Sequence, residues 1–254
     1  MTADLGDVQE AWELLAGSAG EPGGPGAVLF DFDGPLCRLF PSGTSMVVAD
    51  ELRRMLESSG ALDVLSDAER TDKDPHVVLR AAHRARHRRG LGDLVARLDE
   101  AVSLGECAAA RVAWPTSDAA AFVRWLAGRG VRLAVVTNNA PRAAEHYLRA
   151  YGLRPYFAAV HGRSADPDLM KPDPDVVERA LRDLRLEPEA AVMIGDTAAD
   201  VLAAERAGVP FVGYGRNSEK RLRLRDAGAK IVLDAYGPLL EAAGAGGGRE
   251  SRHP

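Results

Sequence analysis

The stretch Val28-Leu29-Phe30-Asp31-Phe32-Asp33-Gly34-Pro35 ends an apolar run with two carboxylates spaced i, i+2. Aspartate favours turns by itself, so this pair alone fits a strand-end turn as readily as it fits chemistry. Three later segments bear on that choice. The run from Val131 ends at Thr137 and is followed by Asn138 and Asn139. Met170 to Pro174 reads MKPDP and carries Lys171. The run from Ala190 ends at Gly195 and delivers Asp196, with Asp200 four places on. Asp31, Asp33 and Asp196 are hard oxygen donors suited to a Mg²⁺ ion that keeps some of its waters. Lys171 adds a compact positive charge, Thr137 a hydroxyl, and Asn138 a main-chain N–H. Carboxylates that hold a cation, beside cationic and neutral donors, make a receptor for a phosphoryl group.

These residues can meet only if the chain brings them to one edge. Ala27–Phe30, Val131–Thr137, Phe157–His161, Ala190–Gly195, Val209–Tyr214 and Lys230–Leu233 are short apolar runs without alternation, the pattern of parallel strands buried on both faces. Helical patterns fill the gaps at 117–128, 140–151, 174–185, 198–207 and 218–227. Ser117 is a candidate N-cap for the first, Pro141 lies in the first turn of the second, and glycines follow several of the ends. The alternation predicts a doubly wound, parallel-sheet (Rossmann-like) α/β core with right-handed crossovers. In such sheets ligands bind beyond the carboxyl ends of the strands, where Asp31, Thr137 and Asp196 all fall. One stretch breaks the rhythm. Residues 39–114 show no strand and read as helices over Thr44–Ser58, Pro75–Arg89 and Leu91–Val112, an all-α cap domain inserted after the first strand. Core segments are then 27–38 and 115–236, with linkers near Leu39–Gly43 and Trp114–Ser117. Residues 1–26 read as a flexible leader in which Val8–Leu15 could form a short helix, and 237–254 as a flexible tail.

Taken in order, Asp31-x-Asp33-Gly34, Thr137, Lys171-Pro172 and Gly195-Asp196 with Asp200 resemble the four motifs of the haloacid-dehalogenase-like superfamily, in particular its phosphoglycolate-phosphatase-like members with a helical cap. The resemblance runs from about Ala27 to Leu233. It implies that Asp31 is the nucleophile that becomes an aspartyl phosphate, and that Asp33 is the general acid–base. It implies that Mg²⁺ takes side-chain oxygens of Asp31 and Asp196 and the main-chain carbonyl of Asp33. Thr137, Asn138 and Lys171 would hold the phosphoryl oxygens. Asp200 would sit one layer out, reaching the metal through water or orienting Lys171. Asp33 argues against a dehalogenase, which has no leaving alcohol to protonate. The expected activity is Mg²⁺-dependent hydrolysis of a small phosphorylated metabolite. A phosphomutase of the same fold and a non-catalytic binding or regulatory module remain as alternatives. The family usually has Thr or Ser where this chain has Pro35, which removes an N–H and fixes φ; altered mobility of that loop is expected.

Composition restricts the partners. The chain has 254 residues with a net charge of -5 and few aromatics, so it offers no global nucleic-acid surface. No apolar run approaches the roughly 20 residues of a membrane span. Two cysteines, Cys37 and Cys107, build neither a disulfide framework nor a four-ligand metal site, and with no basic leader the expected compartment is the cytoplasm. The basic stretch His83–Gly90 reads as a solvated helix face or as a source of anion-selecting side chains. His83 and His87 lie one turn apart, but the sequence shows no third ligand.

Overall fold

A computed structural model describes residues 5–16 and 24–247. Its elements in chain order are α1 (Leu5–Ala16), β1 (Ala27–Phe30), β2 (Cys37–Arg38), α2 (Ser45–Ser58), α3 (Asp67–Thr71), α4 (Pro75–Arg89), α5 (Gly92–Ala110), β3 (Trp114–Pro115), α6 (Ala119–Gly128), β4 (Arg132–Val136), α7 (Pro141–Ala150), β5 (Phe157–His161), α8 (Asp175–Leu184), β6 (Ala191–Gly195), α9 (Ala198–Arg206), β7 (Phe211–Tyr214), α10 (Ser218–Asp226), β8 (Ile231–Leu233) and α11 (Gly237–Gly247).

Six of the strands form one parallel sheet in the order β5-β4-β1-β6-β7-β8. The sequence changes direction across this sheet at β1, which has β4 on one side and β6 on the other. β1 is fully buried, and its side chains divide between two cores. Val28 and Phe30 join Phe122, Leu133 and Tyr147 on one face, while Ala27 and Leu29 join Val177, Ala180 and Met193 on the other. That two-sided burial is why the run lacks alternation. Register then aligns the strand ends. Phe30 lies opposite Val135 and Ile194, so Asp31, Thr137 and Asp196 emerge together at the carboxyl edge.

The inserted region is helical and has its own core, in which Ala49, Leu52 and Leu56 of α2 pack with Leu79 of α4 and Leu98 and Val102 of α5. Its two connections are joined: β2 pairs antiparallel with β3, and the Arg38 guanidinium lies 4.9 Å from the Trp114 ring centroid. The linkers are thus a short ribbon rather than two independent strings.

Three expectations are revised. The leader and the tail, expected to be mobile, each contribute a docked helix. Ala11 and Leu15 of α1 and Leu239 of α11 are buried in the larger core, Trp12 packs on Trp125, and Asp7 pairs with Arg225 at 2.5 Å. Residues 1–4, 17–23 and 248–254 of the leader and tail lie outside the described residues. Ser117 does not cap α6; Asp118 precedes it with φ 61, and no side chain caps that end. The loop around Pro35 is anchored despite the missing N–H. Thr116 Oγ1 donates to Gly34 O at 2.6 Å, Tyr236 to Pro35 O at 3.2 Å, and Tyr147 to Leu36 O at 3.2 Å.

Candidate active site

Asp31, Asp33, Thr137, Asn138, Lys171, Asp196 and Asp200 line one cavity of about 580 Å³ at the carboxyl edge of the sheet. The cap closes its other side with Lys73, His76 and Arg80. The candidate phosphoryl- and metal-binding residues read from the sequence therefore meet in one place.

Lys171 is 3% exposed, and its ammonium is held from three directions. It donates to Asp31 Oδ1 at 2.9 Å, Asp200 Oδ1 at 2.5 Å and Val136 O at 3.0 Å. Burial opposes its charge, yet Asp200 and Asp31 outweigh that and raise its pKa. For Asp31 the balance is reversed. Desolvation dominates, and with Asp200 close by it pushes the carboxyl up to about 6, against the pull of Lys171. Burial also raises the pKa of Asp33, whose Oδ1 accepts from the Leu39 N–H at 2.8 Å. A carboxyl with a raised pKa, facing the cavity, is suited to giving up a proton there.

Asp200 is spent on positioning. One oxygen faces Lys171; the other accepts from the N–H groups of Asp196 and Thr197 and from the Thr197 hydroxyl. Asn138 is similarly committed: its side chain accepts from the Lys171 N–H at 2.8 Å and donates to Lys171 O at 3.1 Å. What Asn138 can still offer a ligand is its main-chain N–H. The Thr137 hydroxyl donates to Asn139 Oδ1 at 3.0 Å.

Single carboxylate oxygens of Asp31, Asp196 and Asp200 lie within 4.8 Å of one another. Because Asp200 already serves Lys171 and Thr197, Asp31 and Asp196 remain as the side chains best placed for a divalent cation. Two glycines allow this crowding. At Gly34, φ is 119, and an added Cβ would stand 2.3 Å from the Asp196 carboxyl carbon; at Gly195 it would stand 2.5 Å from Asp200 Cβ. The cluster also draws in a lysine: Lys220, at the start of α10, donates to Asp196 Oδ2. Concentrated, buried negative charge with oxygen donors fits a hard cation such as Mg²⁺.

Sequence reasoning missed several residues at this site. Lys220 follows the end of β7, so extending the strand-end search by one strand would have found it. Glu106 and Arg163 had no local signal. Glu106, on α5, is fully buried and accepts from Ala140 N at 2.7 Å, Asn139 Nδ2 at 3.0 Å and Arg163 at 3.0 Å, with His76 Nε2 at 2.8 Å. Arg163 also reaches Asn138 O and Asp99. Cap and core thus meet through a buried polar network that ends on the residues beside Thr137. Of α4, His76 and Arg80 line the cavity, whereas no residue of the basic stretch His83–Gly90 does. His161, at the end of β5, lies outside the cavity, its Nε2 3.2 Å from Asp183 Oδ2. Among the described residues no helix is long and apolar enough to cross a membrane.

Residues 25–208 match a family described as haloacid dehalogenase-like hydrolase. The chain is 30% identical over 209 residues to the tyrosine-protein kinase PtkA of Mycobacterium tuberculosis, covering 79% of this chain and 66% of that protein, just under two thirds of its length. It is 32% identical over 239 residues to the phosphoglycolate phosphatase of Rhodospirillum rubrum, covering 85% of this chain and 89% of that one. Among solved structures, CbbY from Rhodobacter sphaeroides in complex with phosphate shares the fold over 84% of this chain and 95% of its own, with a TM-score of 0.58 at 24% identity.

Proposed function

The chain belongs to the haloacid dehalogenase-like hydrolases, and on that premise we propose that it is a Mg²⁺-dependent phosphatase acting in the cytoplasm on a small phosphorylated metabolite. The observation that carries this reading is the convergence of Asp31, Asp33, Thr137, Lys171 and Asp196 on one cavity beneath the cap. In the proposed reaction an Asp31 oxygen attacks phosphorus, the ester P–O bond breaks, and Asp33 protonates the departing oxygen. Asp33, now a carboxylate, takes a proton from the water that attacks the aspartyl phosphate and releases phosphate. Lys171, Thr137 and the Asn138 N–H steady the phosphoryl oxygens. Asp31, Asp196 and the Asp33 carbonyl would hold Mg²⁺, which when bound offsets the repulsion between carboxylate and phosphate. The cap excludes water and supplies Lys73, His76 and Arg80 towards the rest of the substrate.

The test is release of p-nitrophenol from its phosphate ester, followed by a panel of phosphorylated metabolites, with Mg²⁺ and with chelator. Metal-dependent release supports the phosphatase; none on any ester would overturn it. A sugar phosphate converted to an isomer without free phosphate would favour the mutase. The name of the mycobacterial relative favours a second reading, transfer of a phosphoryl group to a protein tyrosine. Phosphotyrosine formed from ATP in the absence of ester hydrolysis would support it.

Gly34→Ala provides a finer check. Its Cβ would displace the Asp196 carboxyl, so the Mg²⁺ concentration for half-maximal turnover is expected to rise at least about tenfold. An unchanged metal titration would contradict the assignment of Asp196.

A further inference from the structure

A second cluster lies on the seam between cap and core, away from the cavity. His83 of α4 is 5% exposed, and neither ring nitrogen has a hydrogen-bond partner. Its Nε2 nonetheless stands 2.9 Å from Asp166 Oδ1 and 3.6 Å from Asp168 Oδ2. The nearer oxygen is within hydrogen-bond range but off the line of a ring N–H. A metal ion on the ring axis would put ligand oxygens in that position, to the side of the nitrogen–metal line. With arms of about 2.0–2.2 Å, the edges of a tetrahedral site measure roughly 3.3–3.6 Å; the Asp168 separation lies in that range, and the Asp166 oxygen would move outward by about 0.4 Å to reach it.

We propose that His83, Asp166 and Asp168 form a Zn²⁺ site that clamps the cap to the core. One imidazole and two carboxylates suit zinc better than Mg²⁺, which prefers oxygen alone. The site is pre-organised. Asp166 Oδ1 accepts from the Asp168 N–H at 3.1 Å. Arg80, one turn before His83, donates to Pro167 O at 3.3 Å and Lys171 O at 2.8 Å, fixing the segment that carries both aspartates. The aspartate side chains are 47% and 54% exposed, which leaves an entry path and room for water as a fourth ligand. Because this segment runs directly into Lys171, zinc there holds the cap down on the loop that supplies the catalytic ammonium, and it slows any step that needs the cap to open.

The test is equilibrium dialysis of the full chain against Zn²⁺ with Mg²⁺ in excess, so that the Asp31–Asp196 carboxylates are saturated. About one Zn²⁺ per chain is expected, with affinity falling at least tenfold in His83→Gln and in Asp168→Asn. Asp168→Asn alters an exposed side chain and guards against misfolding of the buried variant. Co²⁺ in place of Zn²⁺ should give the visible absorption of a low-symmetry site in the native chain and not in either variant. Absence of binding, or binding that neither substitution weakens, would overturn the proposal. The readout is metal binding, so it stands or falls separately from phosphatase activity.

Discussion

Asp31→Asn is expected to reduce Mg²⁺-dependent phosphate release by at least about 10⁴-fold, the scale seen when a nucleophile is deleted, without lowering the melting temperature. The two halves of this result have one cause. The carboxylate is buried beside Asp200, and desolvation raises its pKa from 3.8 to about 6 in the metal-free protein. A raised carboxyl pKa means that the native state binds more protons than the unfolded chain between those values, so stability falls as pH rises through that window. Above it the charged group carries its full penalty, of the order of a few kcal/mol. Asparagine has the same shape and carries no charge. Lys171 keeps Asp200 and the Val136 carbonyl as partners, so the substitution leaves no orphaned ammonium. In chelator, the advantage of the variant should be smallest below the window, grow across it and level off above it. Thermal melts across that range check this. A variant that melts well below the native protein at neutral pH would show that the Asp31–Lys171 pair stabilises more than its burial costs. The same pair of measurements would show an activity–stability trade-off directly: a carboxylate proposed to act as nucleophile sits where folding alone would not put it.

The sheet and the edge that gathers the candidate residues were legible because their cause is local. Leu29 and Phe30 point into opposite cores, so a strand buried on both faces shows as an uninterrupted apolar run. Once strands are recognised, the doubly wound topology brings their ends together, and Asp31, Thr137 and Asp196 follow without further information. Lys171 was legible through its motif, although it lies on a loop. The residues that were missed owe their place to tertiary contacts. Glu106 reads as one more charge on a cap helix, yet it is fully buried because Arg163, 57 positions away, meets it there. α1 resembles a frayed leader until Trp12 finds Trp125. The ribbon of β2 and β3 is two residues per strand, too short for any periodicity. Pro35 looked like a loosened loop because the sequence shows the N–H it lacks and not the hydroxyls of Tyr147, Thr116 and Tyr236 that secure its neighbours' carbonyls and its own.

Glu106→Ala is expected to destabilise the fold by about 3–5 kcal/mol, the cost of leaving one member of a buried ion pair alone. The Arg163 side chain is 2% exposed, so solvent cannot replace the lost carboxylate, and the N–H of Ala140 loses its acceptor as well. The network's pH response has the opposite sign to that of Asp31. Burial pushes the Glu106 carboxyl up, but His76, Arg163 and the Ala140 N–H together bring it down to about 2 from 4.5. A depressed carboxyl pKa contributes stability that is fully present above the unfolded value and is lost as pH falls towards the folded one, here about 3 kcal/mol in all. The gap between native and Glu106→Gln melting curves should therefore be constant above the window and narrow as pH drops through it. Replacing both partners, Glu106→Leu with Arg163→Met, should cost less than the sum of the single changes, since no charge is then stranded. If the double variant cost the full sum, Glu106 and Arg163 would be acting independently. Chemistry gives a further readout. Glu106 holds Asn139, and Asn139 accepts from the Thr137 hydroxyl, so Glu106→Gln should impair phosphoryl binding even in molecules that remain folded. A cap residue more than ten positions from any motif would then be tuning the site from the lid side, which is the expected result if closure of the cap and orientation of Thr137 are one event.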